Sequence, residues 1–390
     1  MMTSVIYIRD DKCHVGCWSG RNHVEDIMRK LRCGFILSMA ITVFLVLGLT
    51  KPSEGLLPQD NAPRIIPLPE LELPGQICVE NGRVYVLDKR DIIVYDLKDG
   101  RLLKRIGKTG QGPGEFTMGP GRLTVLSDRL VISDFRKIKF FTLDGEYSNE
   151  IKEPGFMGFY PFLPIGKNYV GFPMEWRNDG SLSPAAGCIY DKDLKLKKKF
   201  FGELPMGPPP PPPPGSQPPA KKTDKLLIRD YADYAVYGDK IFVADSRKGL
   251  FIAIFNENGD LLSEIRHSVE KVKVPKSYLE AVIKERKASK YWDSIYAHQN
   301  PVVPDFFPDF VGFKIDGGRI YVVTPAQKGG LYEVIVMDLK GQILEKSFRF
   351  PIKPNFEVPE SFSLSYDVEG NKFVWFAYND AKETFELHVR

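Results

Sequence analysis

Hydrophobic residues along this chain come in short runs, each broken by a polar or glycine-bearing step, and the runs recur in sets. Gly82-Arg-Val-Tyr-Val-Leu-Asp-Lys-Arg90 is followed by Asp91-Ile-Ile-Val-Tyr-Asp-Leu97, then by Asp99-Gly-Arg-Leu-Leu-Lys-Arg-Ile106. The set returns at 128–136, 138–143 and 144–147, again at 239–247, 250–255 and 258–265, and again at 318–323, 332–337 and 340–346. An additional apolar run precedes each copy, at 76–79, 122–126, 233–237 and 310–315. Four short strands per unit, repeating at about 46 residues in the clean copies, predict the blades of a β-propeller. Many strand residues are apolar on both parities, as in Val84, Tyr85, Val86 and Leu87. Blades stacked face to face bury both faces, so a clean alternation is not expected.

Two degraded copies complete the count. One runs from Pro161 through 168–172, 187–190 and 194–200; the last comprises 363–366, 372–377 and 384–389. The expected architecture is therefore all-β: a six-bladed β-propeller of four-stranded blades with a small helical insertion. The last blade has only three strands of its own, while 64–71 precedes the first full blade and is otherwise unassigned. That N-terminal strand is expected to close the ring as the outer strand of blade 6, because an open ring exposes strand edges. Its prolines suit an outer edge. The Asp-Gly, Asn-Gly or Lys-Gly before each fourth strand predicts a tight hairpin, both residues of an Asp-Gly or Asn-Gly pair tolerating positive φ.

The stretch from Arg105 to Phe116, RIGKTGQGPGEF, is the one place that imitates a nucleotide site. A phosphate loop needs a glycine five residues before Gly107, where Leu102 stands, and Pro113 would deny the cradle an N–H. No βαβ unit surrounds it. It reads instead as the outer strand of blade 1, 102–106, followed by a glycine-rich crossing to blade 2. Phe116 is expected to plug between the two blades and Glu115 to satisfy nearby N–H groups.

The Val-x-Asp-x-x strand ends and the connector Gly107-x-x-Gly110-x-Gly112-x-Gly114-Glu-Phe116 resemble those of the bacterial NHL-like six-bladed β-propellers. The resemblance covers about residues 64–390; blade 3 and the helical insert depart from it. It implies a fold shared by ligand binders, protein-interaction modules, lyases and lactonases, so it does not fix an activity.

Composition narrows the classes. The 390 residues are 43% hydrophobic and 27% charged, with a net charge of +4 and both signs interspersed. This is a globular composition without the basic stripe that nucleic acid requires. Met28-Arg-Lys-Leu-Arg32, the uncharged run 33–49, and Ser53 and Gly55 before a cleavage point form the layout of a signal peptide over 28–55. If 33–49 stays uncleaved it is a membrane anchor. Both readings put the propeller, 56–390, outside the cytoplasm: periplasmic or extracellular if cleaved, membrane-anchored otherwise. Residues 1–27 carry Cys13-His14-x-x-Cys17 and His23, which read as metal ligands or as a non-native extension upstream of a true start at Met28. Cys78 and Cys188 remain, read as buried free thiols.

Two inserts interrupt the repeats. Residues 207–224 contain seven consecutive prolines, 208–214, and read as an exposed polyproline spacer. Residues 275–298 change to helical period, with Leu279, Val282 and Ile283 on one face, and would either cover one mouth of the channel, the favoured reading, or pack against the side of the ring.

Candidate chemistry concentrates where the second strands end. Asp88 and Arg90, Asp134 and Arg136, and Asp245 and Arg247 occupy the same place in three blades. Gathered at one mouth, they would bind a polar or anionic ligand, or a Ca2+ ion through oxygens. Equally, such an aspartate caps turn N–H groups. The copies that break the motif supply Glu175, Trp176 and Arg177 in blade 3, and Asn379 and Asp380 in blade 6, as ligand contacts. A lactonase-like hydrolase would use Glu175, Asn379 and Asp380 around a divalent ion. A zinc lyase would need histidines converging from several blades, whereas only His267, His298 and His388 lie in this region. Ser246 lacks an evident His base. These observations favour a monomeric, non-catalytic module that binds protein or carbohydrate at a propeller mouth without a cofactor. The alternative is a metal-dependent lactonase-like hydrolase or lyase in the central channel.

Overall fold

The computed structural model describes residues 62–117, 119–134, 136–153, 160–174, 185–204, 223–287, 299–354, 356 and 364–390. Six four-stranded antiparallel sheets are present, five of them simple meanders of consecutive strands and the sixth closed by the first strand of the chain's described part. The protein is an all-β six-bladed propeller. Blade 1 comprises Pro74–Glu80, Arg83–Asp88, Asp91–Asp96 and Leu102–Ile106. Blade 2 comprises Arg122–Val125, Arg129–Asp134, Lys137–Thr142 and Tyr147–Lys152. Blade 3 is Phe162–Ile165, Asn168–Gly171, Ala185–Tyr190 and Leu196–Leu204. Blade 4 is Ala232–Tyr237, Lys240–Asp245, Leu250–Asn256 and Leu261–His267. Blade 5 is Gly312–Asp316, Arg319–Lys328, Leu331–Asp338 and Ile343–Phe350. Blade 6 takes Tyr366–Glu369, Lys372–Asn379 and Thr384–Val389 from the C-terminus and Arg64–Leu68 from the N-terminus. The closing strand runs antiparallel to the last one, Arg64 opposite Val389 and Leu68 opposite Phe385.

First strands of neighbouring blades touch one another, blade 1 against 2 and 6 and blade 5 against 4 and 6, which sets them around the axis. The middle strands are apolar on both faces and buried, as in Val84 to Val86 and Ile241 to Ala244. Five apolar clusters run between blades rather than within them; Val79, Val86 and Ile93 of blade 1 pack with Val374, Leu387 and Val389 of blade 6.

Three local details differ from expectation. The turns before the fourth strands are not paired positive-φ hairpins. Only the glycine takes positive φ, at Gly100 (73°), Gly145 (78°), Gly259 (74°) and Gly341 (87°). A side chain earlier in the turn caps it. Asp338 Oδ1 accepts the N–H groups of Lys340 (2.9 Å) and Gln342 (2.8 Å), and Asn256 and Asp191 do the same in their blades. The glycine is also a contact: an ideal Cβ on Gly341 would lie 2.7 Å from Ile265 of the preceding blade. In blade 5 the second strand continues through Thr324 to Gln327, which the repeat placed in a turn. A register irregularity after Val323 absorbs Pro325. In blade 6 the first strand begins at Tyr366, later than the apolar run suggested.

Because the blades are meanders, the turns between first and second and between third and fourth strands share one face, the hairpin face. The turns between second and third strands and all blade-to-blade crossings share the other, the connector face. There the crossings into blades 4, 5 and 6 interlock. Thr223–Leu226 pairs in parallel with Gln299–Val302, Leu227 N donates to Val302 O (2.8 Å) and Arg229 N to Phe356 O (2.8 Å). The inserted helix spans Lys276–Lys287. Its Tyr278 ring lies 5.4 Å from that of Phe307 and 6.2 Å from that of Phe356. All three belong to the apolar cluster holding Tyr321, Phe350 and Tyr366 of blades 5 and 6. The rest of the helical insert and most of the polyproline insert lie outside the described residues.

Candidate binding face and axis

The glycine-rich connector shows why the sequence folds this way locally. Phe116 is fully buried, 5.9 Å from the Phe141 ring of blade 2. Gly107 takes φ 104° with the Phe116 ring against its α-carbon, where a side chain would clash. Glu115 bends back so that its carboxylate accepts Gly112 N (2.9 Å). Beneath it lies a lysine among apolar neighbours: Lys139 Nζ contacts Asp134 Oδ2 at 2.8 Å, the two side chains only 1% and 0% exposed. The ammonium also donates to Glu115 O.

The three repeated aspartates are engaged in bracing. Asp88 accepts the N–H groups of Glu72 (3.0 Å) and Leu73 (2.5 Å), on the crossing that leads into its own blade. Asp134 accepts Thr117 N (3.1 Å) on the corresponding crossing and holds Lys139. Asp245 caps the turn at Arg247 N (3.2 Å) and receives Nε and Nη2 of the Arg247 guanidinium, both at 2.8 Å. That guanidinium also donates to Glu203 O of blade 3 (2.6 Å). Beside it Ser246 Oγ accepts Tyr231 N (2.9 Å) and faces Asp230 (3.3 Å). Burial raises the Asp230 carboxyl above its ordinary range. Arg90 and Arg136 are exposed at the connector face. Asn379 donates to Glu386 (2.9 Å) and accepts Ala381 N and Lys382 N (3.1 Å each), while Asp380 is exposed. Glu175, Trp176 and Arg177 lie outside the described residues, as does His298. His267 Nε2 is 2.7 Å from Gly341 O, and His388 stacks on Trp375 (5.2 Å).

The axis holds a constellation that the repeat analysis did not single out. Arg122 of blade 2 approaches Asp233 of blade 4 (3.6 Å), and Lys314 of blade 5 approaches Asp367 of blade 6 (3.7 Å); all four side chains are at most 20% exposed. Lys314 also sits over the Tyr366 ring (5.3 Å). Asp367 Oδ2 accepts Val79 N of blade 1 (2.7 Å), and the Gln76 amide grips both backbone groups of Leu123 in blade 2. Burial raises the Asp367 carboxyl, with Lys314 pulling the other way. Burial also pushes the Cys78 thiol up to about 12; Cys78 and Cys188 are free and buried. At the hairpin-face end, Asp316 accepts Gly370 N (2.8 Å) and Glu369 accepts Gly82 N (2.8 Å), linking blades 5 to 6 and 6 to 1. Glu80 stands beside them. Its carboxyl is raised by burial and by the neighbouring Glu369 and Asp316 charges. A signal for the axial set was present: charged residues in four first strands, Arg122, Asp233, Lys314 with Asp316, and Asp367 with Glu369.

Among the described residues no group of three or more His, Cys, Asp or Glu side chains is disposed to hold a metal, and no helix is long and apolar enough to cross a membrane.

A family profile described as "6-bladed beta-propeller" matches residues 70–207, which span blades 1 to 3. No functionally curated protein matches the chain. Among solved structures, the chain is similar to a candidate exported protein of Bacteroides fragilis at 14% identity, over 84% of this chain and 94% of that one, with a TM-score of 0.45. It is also similar to the Pan2 WD40 domain of Neurospora crassa (10% identity, 81% and 89% covered, TM-score 0.38). A third is BamB from Moraxella catarrhalis (12% identity, 80% and 71% covered, TM-score 0.30).

Proposed function

We propose that this protein is an exported, non-catalytic binding module that engages a protein or carbohydrate partner through the mouth on its connector face. One observation carries the reading. Four of the axial charges are paired across blades, Arg122 with Asp233 and Lys314 with Asp367, while the described elaboration beyond the repeat is gathered on the connector face. A hydrolase or lyase needs an accessible, uncompensated polar group at the reacting centre; mutually paired, mostly buried charges instead close the ring and leave recognition to its mouth. Export rests on the basic 28–32 stretch and the uncharged 33–49 run. Rim residues that interlocking crossings hold in place suit recognition, because a preorganised surface loses less entropy on binding.

The test is site-specific photocrosslinking in the source cells, from the exposed Lys273 and Lys353 on the connector face and from Lys340 and Lys372 on the hairpin face. Partner adducts should form from the first pair and not the second. Adducts confined to the hairpin face would reverse the assignment of faces. Turnover of a chromogenic lactone that depends on Ca2+ or Zn2+ and disappears in Asp233→Asn would replace a binding module with a hydrolase.

A further inference from the structure

At the outer rim of blade 2, away from the axis, the connector face carries a cavity of about 290 Å³. Its lining among the described residues is Arg136, Lys137, Glu150, Ile151 and Lys152. Lys137 stands opposite Lys152, and Lys139 opposite Glu150, where the third and outer strands of the blade pair. The one acidic group of the lining is already compensated: Glu150 pairs with Lys137 at 2.5 Å and lies 3.9 Å from buried Lys139. Arg136 and Lys152 have no ion-pair partner among the described residues, so the cavity keeps an excess of positive charge beside the apolar Ile151 surface.

The backbone at Arg136 adds an independent observation. Its φ is 62°, in the left-handed region where a side chain is strained and glycine is not. The same turn holds Gly249 (90°) in blade 4 and Gly329 and Gly330 (58° and 78°) in blade 5. Blade 6 has exposed Glu383 (49°) there, and blade 1 has Lys89 (51°) one position earlier in the turn, ion-paired to Glu72 of the incoming crossing. Strain at Lys89 is thus offset by a contact within the fold. Arg136, exposed at this face, has no such contact among the described residues.

We propose that Arg136, Lys152 and Ile151 form a binding site for a small-molecule carboxylate bearing a short apolar portion. The planar guanidinium presents two parallel N–H donors that match a carboxylate, the Lys152 ammonium supplies a second charge, and Ile151 takes the hydrocarbon. Glu150 in the wall opposes a doubly charged guest. The site is separate from the axial mouth, and its failure would leave the proposed function untouched.

The experiment titrates the intact protein with hexanoate, and with hexanol, hexylamine and inorganic phosphate as comparators, by calorimetry and chemical-shift mapping. Saturable hexanoate binding is expected, at least tenfold tighter than each comparator, with shifts at Ile151 and Lys152. Arg136→Gly should lose at least tenfold in affinity while its thermal midpoint stays level or rises, since glycine relieves the backbone; Lys152→Gln should lose several-fold. The proposal is overturned if the wild-type protein shows no saturable hexanoate binding or if Arg136→Gly binds as the wild type does. It is equally overturned if that variant unfolds at a lower temperature, which would make the guanidinium structural. Hexanol binding equally well would reduce the site to an apolar dent, and tighter phosphate would reject the carboxylate.

Discussion

Lys139→Met asks whether the repeated aspartates are bracing elements or ligand-binding groups. In the folded protein the Lys139 ammonium has four companions: Asp134 Oδ2 at 2.8 Å, Glu150 Oε2 at 3.9 Å, Glu115 O, and the Phe116 ring centroid at 5.4 Å. Asp134 retains Thr117 N at 3.1 Å as its only other described donor. Methionine keeps most of the stem and removes the charge, stranding a fully buried carboxylate on one N–H. Breaking a buried pair from one side costs about 3–5 kcal/mol. Adding Asp134→Asn removes the stranded charge and keeps an acceptor for Thr117. The double variant should therefore recover to within about 1–2 kcal/mol of the wild type, the price of one imperfect buried hydrogen bond. A double-mutant cycle in urea, followed by tryptophan fluorescence and far-ultraviolet dichroism, reads both numbers. If Lys139→Met loses less than about 1 kcal/mol, or the double variant is no more stable than the single, the stranded-charge reasoning fails. Asp134 would then be reachable by water or a ligand, as a ring of ligand-binding carboxylates requires.

Gly145→Ala should destabilise by about 1–2 kcal/mol from the left-handed backbone and about 1–3 more from overpacking, because the new Cβ would fall 2.5 Å from Ile106 of blade 1. An unchanged urea midpoint would reject the close blade-to-blade approach. His388, paired across the ring closure with Ile65 and Trp375, has its pKa lowered by burial, which outweighs the opposing Glu386 charge. The unfolded chain therefore binds the proton first, so stability should be full above about pH 6.5 and fall as pH drops through the lowered folded value. His388→Gln should flatten that part of the wild-type pH–stability curve, and identical slopes for the two proteins would refute it.

The fold was legible because the repeat is carried by the core. Strand ends such as Val84 to Asp88 and Val243 to Asp245 recur where two blade faces must be buried, and one displaced N-terminal strand is the natural partner for a three-stranded C-terminal blade. Turn chemistry was less legible. Asp-Gly by itself suggests a paired positive-φ hairpin, whereas the conformation depends on Asp96, Asn256 or Asp338 a few residues earlier, whose side chains accept N–H groups within the turn. Blade 3 departs further: Leu194, at φ 61°, stands where other blades have glycine, so the motif is absent though the turn persists. The parallel pairing of Thr223–Leu226 with Gln299–Val302 had no local signal. Its strands are polar, one contains Pro301, and only the folding together of two separate crossings brings them into register. Of the candidate site, the positions of the Asp-x-Arg motifs were legible. Asp245 caps its own turn at Arg247, as such a motif suggests, but the partners of Asp88 and Asp134 were not legible, because the N–H groups they accept come from crossings 15 to 17 residues away.

The axis and the connector face divide the work of the propeller by the kind of charge each carries. Around the axis, polar side chains reach from one first strand to the backbone or the opposite charge of another blade: Gln76 to Leu123, Asp367 to Val79, Arg122 to Asp233. Such contacts are costly to half-satisfy and therefore fix the relative register of blades whose apolar faces alone would tolerate sliding. The ring is bound by chemistry at its centre and by one exchanged strand at its edge. With blade order fixed from within, the crossings on the connector face are free to vary, and the two long inserts interrupt the sequence between blades 3 and 4 and between blades 4 and 5. Cohesion at the axis is thus separable from the binding proposed for that face. Substitutions among the axial charges should act first on stability, and substitutions of exposed connector-face side chains should act on binding while leaving the ring intact.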